Sequence, residues 1–292
     1  MHMATVPSGA SGHVVPPELT SSLKILYYSL EMAAIVFIGL GILPALCTGR
    51  VSRTITWYSF MFSWMWYSIA NVILAGRQSS TEPSFSLCLF QAGLIYASPV
   101  FTSATGLAFI IELYLRLGSP IPDLPLSRSR LVPLIVLPIL LNCTVFLEVI
   151  IYGLHNKSTV RLNSLRLYCH IETDVQTTFA SLLVILLLVP VIIIEALTAT
   201  MLYCKYKHIR NNKATSPFSL TLFIRTVFFT FIVTIGLTIG AIGLRSPSPI
   251  LRAGQMAAQA SVPVTCALVF LTQTDIVRSW SLHRRSSSAS VV

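Results

Sequence analysis

Ser86–Gly118, SLCLFQAGLIYASPVFTSATGLAFIIELYLRLG, is the stretch whose reading decides the fold. Cys88 stands in its first turn, Glu112 and Arg116 in its last, and nothing between Cys88 and Glu112 is charged. At about 1.5 Å per residue, those roughly 24 residues make a helix long enough to cross the hydrocarbon core of a bilayer. Small and hydroxyl-bearing residues (Ala97, Ser98, Ser103, Ala104, Thr105, Gly106) crowd its middle, and such residues let helices pack closely in lipid. The stretch is expected to be the central post of a helical membrane bundle.

Working outward, apolar runs of similar length recur along the whole chain. We place seven spans at about 23–47, 54–75, 87–117, 131–152, 175–204, 218–244 and 250–272, with short polar connections and no soluble domain between them. The 292 residues are 54% hydrophobic and 10% charged, with a mean hydropathy of +0.76. That composition excludes an ordinary soluble globular protein. Residues 1–22 are polar and rich in Pro, Ser and Gly, and are expected to be disordered and extracellular. No basic region precedes an apolar one there, so span one is expected to act as an uncleaved signal anchor. Residues 274–292 form a short basic tail.

The net charge of +10 is topogenic in such a chain and implies no nucleic-acid partner. Arg50, Arg53, Arg116, Arg128, Arg130, Lys205, Lys207, Arg210, Lys213, Arg278, Arg284 and Arg285 fall on one side of the membrane. Lys24, Arg77, Lys157, Arg161, Arg166, Arg245 and Arg252 fall on the other. The richer side is retained in the cytoplasm, so the amino terminus is expected outside and the carboxyl terminus inside. The connection after span four agrees with this. It carries the glycosylation sequon Asn156-Lys157-Ser158 and Cys169, which could meet Cys88 at the outer end of span three. The other four cysteines lie within spans or at cytoplasmic ends, so a Cys88–Cys169 disulfide is expected. In the same connection, apolar and polar residues alternate from Val160 to Ile171 about Asn163-Ser164, the pattern of a short β-hairpin. Its polar face is read either as solubilising or as a basic lid.

Ionisable groups inside spans need a partner or a purpose. Glu195 and Arg225 lie at similar depth on spans five and six, and an intramembrane ion pair is expected between them. Glu31 and Arg252 are a second candidate pair, since the first and last helices adjoin in a closed ring. Glu112 and Arg116, four apart, are expected to pair along their own helix. No CxxC or Cys/His cluster predicts a metal site, and no cofactor is expected.

Seven spans, an outside amino terminus and a cysteine opening span three with a mate in the second outer loop resemble a G-protein-coupled receptor. The wording of spans two, three and seven (SWMWYSIANVILAGR, CLFQAGLIYASPVFTSATGLAFIIELYLRL and ALVFLTQTDIVRSW) is similar to mushroom-type fungal seven-span receptors, distantly like the a-factor type of mating pheromone receptor. Span three carries Glu112 and Arg116 four apart where rhodopsin-like receptors have an acidic-Arg-Tyr motif, and span seven lacks Asn-Pro-x-x-Tyr. The resemblance implies a multi-pass receptor of the plasma membrane, with a small-molecule or peptide ligand outside and a heterotrimeric G protein inside. Ligand contacts are then expected in the outer half of the bundle, from Trp66, Tyr67, Asn71, Gln91, Tyr96, Gln176, Gln255 and Gln259, an aromatic and amide set suited to a mainly apolar pocket. The G protein would face Glu112, Arg116, Lys205, Lys207 and Arg210.

Other seven-helix functions are weaker readings. A retinal protein needs a Schiff-base lysine in the last span, and residues 250–272 contain none. A small transporter of a polar solute is the alternative, although spans one to three and five to seven show no internal similarity. No HExxH motif, Ser/His pair or carboxylate dyad within the spans points to an enzyme.

Overall fold

The computed structural model describes residues 17–47, 53–76, 83–119, 126–163, 165–209, 223–235 and 249–272. These form seven helices and one small sheet. α1 is Pro17–Cys47, α2 Ile55–Val72, α3 Phe85–Gly118 and α4 Arg128–His155. Strands β1 (Val160–Leu162) and β2 (Cys169–Ile171) follow, then α5 (Asp174–Ile209), α6 (Phe223–Ile235) and α7 (Pro249–Leu271). Five of the helices are long and apolar enough to cross a membrane, and the chain is a multi-pass membrane protein.

Local chemistry sets several of the helix ends. Thr54 caps α2 by accepting from the Trp57 amide at 3.3 Å, which satisfies one of the donors left orphaned at a helix start. Beyond α2 the chain turns at Gly76, whose φ of 79° suits a residue without Cβ. Asp174 places a negative charge in the first turn of α5. Prolines 99, 133, 138, 190 and 263 lie inside helices, two of them in α4, and membrane helices tolerate such interruptions where the freed carbonyls are satisfied locally.

α3 is the centre of the bundle. Its apolar window is 67% buried, against 17% for α4 and 22% for α5, which turn residues such as Leu137, Leu140, Leu186 and Ile193 outward. α3 packs against α2, α4, α5 and both strands, and α1 packs against α7 to close the ring. Close approach to α4 depends on glycine: a Cβ on Gly93 would lie 2.8 Å from Phe146 Cε2, and one on Gly153 would clash with Leu89 Cδ1.

The hairpin seals one end. β1 and β2 pair antiparallel with Arg161 opposite His170 and Leu162 opposite Cys169. Leu165, Leu167, Cys169 and Ile171 are buried while Arg161 and Arg166 are exposed, the two faces that alternation predicts. The reversal is closed by Asn163, whose side-chain oxygen accepts from the Leu167 amide at 2.6 Å. Cys88 and Cys169 form a disulfide with Cα atoms 5.2 Å apart. Residues 1–16, the tail from 273 onward, Ser164 and Arg210 lie outside the described residues, as do the side chains of Lys205, Lys207 and Arg252.

Candidate functional site

Most of the polar side chains expected to face a ligand near the hairpin hold structure instead. Gln91 is fully buried; its Oε1 accepts from the Cys169 amide at 3.0 Å and its Nε2 donates to the Ala70 carbonyl at 3.1 Å. Tyr96 donates to the Ile171 carbonyl at 3.2 Å. Asn71 accepts from the Tyr27 hydroxyl at 2.6 Å, and Gln176 donates to Glu148 at 2.9 Å. Trp66 stacks on Phe62, which is 46% exposed, so this pair sits on the outer surface of the bundle. Gln255 is buried. Asn156 is exposed at the end of α4, its amide donating to the Tyr152 carbonyl at 3.2 Å.

The cavity lies deeper, with a volume of about 150 Å³. α2 contributes Phe60, Trp64 and Tyr67, and α3 the face from Pro99 to Ile110. Val184, Leu188 and Val191 come from α5, Thr226, Phe229, Thr230 and Val233 from α6, and Gln259 and Val262 from α7. Of the eight residues expected at a ligand site, the cavity gathers Tyr67 and Gln259. Pro99 is about 16 Å along α3 from Cys88, so the space opens in the middle of the bundle and extends away from the hairpin.

Its walls are apolar with a band of hydroxyls. Thr102 and Ser103 both donate to the Pro99 carbonyl, at 2.9 and 2.8 Å, and Thr230 donates to Glu195 Oε1 at 2.7 Å. Trp64 is 7% exposed and its indole N–H has no partner. Among the described residues, no lining side chain is charged. A Pro followed at three and four residues by hydroxyls was the signal for this wall in the sequence. Trp64 gave no signal that separated it from Trp66.

An aromatic cluster floors the cavity. Phe60 stacks on Phe109 with centroids 5.6 Å apart, and meets Phe229 and Phe270 edge-on at 5.9 and 5.6 Å, joining α2, α3, α6 and α7. Beyond it, at the end opposite the hairpin, Arg116 pairs with Glu112 at 2.7 Å, as the four-residue spacing predicts. The second Glu112 oxygen accepts from Thr56 of α2.

Glu195 and Arg225 do not form the expected ion pair. Glu195 is occupied by Thr230, while the Arg225 guanidinium donates to the Val269 carbonyl at 2.5 Å, the Thr272 hydroxyl at 2.9 Å and the Thr272 carbonyl at 3.0 Å. The last carbonyls of a helix have no intrahelical donor and carry its negative dipole end, so the guanidinium caps α7 rather than reaching across to α5. Glu31 is fully buried with the Ser68 hydroxyl beside it, and the side chain of Arg252, its expected partner, lies outside the described residues.

A single central helix, a ring of six others closed by α1 against α7, and a disulfide-tied hairpin over one end define the seven-helix bundle of the rhodopsin fold. Among solved structures, the crystal structure of squid rhodopsin superposes with a TM-score of 0.65 over 92% of this chain and 86% of that one, at 13% sequence identity. No family model and no curated protein matches the sequence.

Proposed function

We propose that this chain is a receptor of the G-protein-coupled type, which takes a ligand into the central cavity and signals at the end opposite the hairpin. The observation that carries the reading is the cavity, bounded by α2, α3, α5, α6 and α7, with an aromatic floor that couples α6 and α7 to α2 and α3. A ligand that favours one packing of this floor over another shifts the arrangement of helix ends beyond it. The rhodopsin fold and the likeness of spans two, three and seven to fungal receptors support the assignment. The polar end, with Glu112 and Arg116 and the basic prolongation through Lys205, Lys207 and Arg210, is the proposed surface for a heterotrimeric G protein.

The lysine and arginine distribution supports a plasma-membrane orientation with the hairpin outside. Asn156 is exposed on that side and is the proposed glycosylation site. Endoglycosidase treatment is expected to shift the wild-type band and leave Asn156→Gln unchanged. Coupling is tested by coexpression with fungal Gα subunits in a reporter yeast, scored for ligand-independent and extract-induced signal. A response is the expected result. Solute uptake by the same cells with no coupling would overturn it in favour of a transporter.

A further inference from the structure

The polar groups on the cavity walls differ in what they have left to offer a ligand. Thr102 and Ser103 donate to the Pro99 carbonyl and Thr230 donates to Glu195, so their hydrogens are committed. Thr226 is buried and engaged as well, and the Tyr67 side chain lies beside Asn71. The Trp64 indole nitrogen is sealed inside the protein, out of a ligand's reach. Gln259 is in a different position. It lines the cavity, and its amide makes no hydrogen bond among the described residues yet is not sealed off as the Trp64 nitrogen is. The α7 face on which it stands runs inward: Val262, three residues on, lines the same cavity, and Cys266, seven residues on, is fully buried in the aromatic cluster. Residues at these spacings share one side of a helix, so the open surface of the Gln259 amide is cavity surface.

A primary amide carries two donors and an acceptor. Surrounded by apolar walls, these groups favour an occupant that can pair with them, and a hydrocarbon cannot. An ion would lose its hydration and meet no counter-charge among the described lining residues. Size sets the remaining limit, since a cavity of about 150 Å³ holds one molecule of roughly benzene size.

We propose that the cavity takes one uncharged, mainly apolar molecule, about six to nine non-hydrogen atoms in size, that carries a single polar group, and that Gln259 holds this group and selects for it. The inference rests on reading the cavity as a ligand site, and direct binding decides it. Saturable binding without G-protein coupling would overturn the receptor reading alone; coupling without saturable binding would overturn this inference alone.

The test uses the purified full chain in nanodiscs, with fluorine NMR as readout. Three probes of one size differ at a single end: 4-fluorobenzyl alcohol carries a hydroxyl there, 1-ethyl-4-fluorobenzene a methyl and 4-fluorobenzylammonium a charge. Molecules dissolved in lipid give a signal that grows linearly, whereas the cavity is expected to give a bound resonance that saturates. At matched concentrations in the lipid, the alcohol should bind about threefold to tenfold more tightly than the hydrocarbon, the worth of one hydrogen bond. The ammonium should show no bound resonance. Gln259→Met, which keeps the volume, is expected to remove the preference for the alcohol while the hydrocarbon still saturates. Val262→Phe, which fills the cavity from the same face of α7, is expected to abolish both resonances. Thermal melts establish which variants are folded, and the wild-type comparison of the three probes carries the test if neither is. The proposal is overturned if the wild type gives no saturable resonance, if the hydrocarbon binds as tightly as the alcohol, or if the ammonium saturates. It is overturned equally if folded Gln259→Met keeps the preference or folded Val262→Phe keeps the signal.

Discussion

Gln91 has no exposed surface and makes two hydrogen bonds that an apolar replacement cannot supply. Gln91→Met keeps the volume but leaves the Cys169 amide buried without its acceptor, which should cost about 1–3 kcal/mol. Thermal unfolding of the purified protein with the disulfide intact measures it, and an unchanged melting temperature would show that the hairpin does not depend on this tie. The sequence placed the residue among the ligand contacts, and its structural role was not legible because its partners are backbone atoms far away in the chain. The same limit explains Glu195 and Arg225. Counting residues at about 1.5 Å per step put the two at one level, whereas Glu195 meets Thr230, five residues along α6 from Arg225, and the direction each side chain takes depends on how the helices are rotated. Arg225 turned toward the end of α7 and Glu195 toward Thr230. Glu112 and Arg116 needed no such information, since four residues along one helix bring side chains together whatever surrounds them.

Among the elements, the hairpin was the most legible, because period-two alternation depends only on which face is buried and the buried face proved to be the apolar one. The cavity was far less legible for the converse reason: it is the space left by five helices, and only its α3 wall, Pro99 followed by Thr102 and Ser103, left a trace in the sequence. His170 lies on β2 opposite Arg161, and burial holds its imidazole below the usual value of 6.5, against smaller opposing contributions from the Arg161 backbone and Glu172. A histidine lowered on folding takes up its proton more readily when the hairpin is undocked. Its contribution is therefore complete above about pH 6.5 and is lost as pH falls through the lowered folded value. Melting temperatures should drop between pH 7.5 and 5 in the wild type and drop less in His170→Gln; parallel profiles would remove His170 as the cause. The α3–α4 contact makes a second prediction. Leu89 is only 4% exposed and blocks the space a Cβ would take at Gly153, so Gly153→Ala should cost about 1–3 kcal/mol by overpacking. In the Leu89→Ala background the same change should cost much less, and a double-mutant cycle in thermal stability reads the difference.

At the scale of the whole molecule the two ends of the bundle are built differently. The hairpin end is tied by a disulfide and by side-chain bonds from Tyr28, Gln91 and Tyr96 to hairpin backbone. Among the described residues at the opposite end, the Arg225 cap fastens α6 to α7. On the proposed receptor reading, signalling requires these helix ends to change their spacing, and Arg225 restrains that movement in the arrangement described here. Each hydrogen bond from a charged donor is worth about 1.5–3 kcal/mol when buried, and partial exposure discounts the three together to an effective 1–2 kcal/mol or so. A shift of about that size changes the ratio of two conformations roughly 5- to 30-fold. Arg225→Met should therefore raise ligand-independent signalling several-fold at matched surface expression, with Arg225→Lys in between because a single ammonium cannot reach all three acceptors. The measurement is basal reporter output normalised to surface label. If Arg225→Met instead silences the receptor while its thermal melt stays cooperative, the guanidinium is needed in the signalling arrangement and the cap is not a restraint.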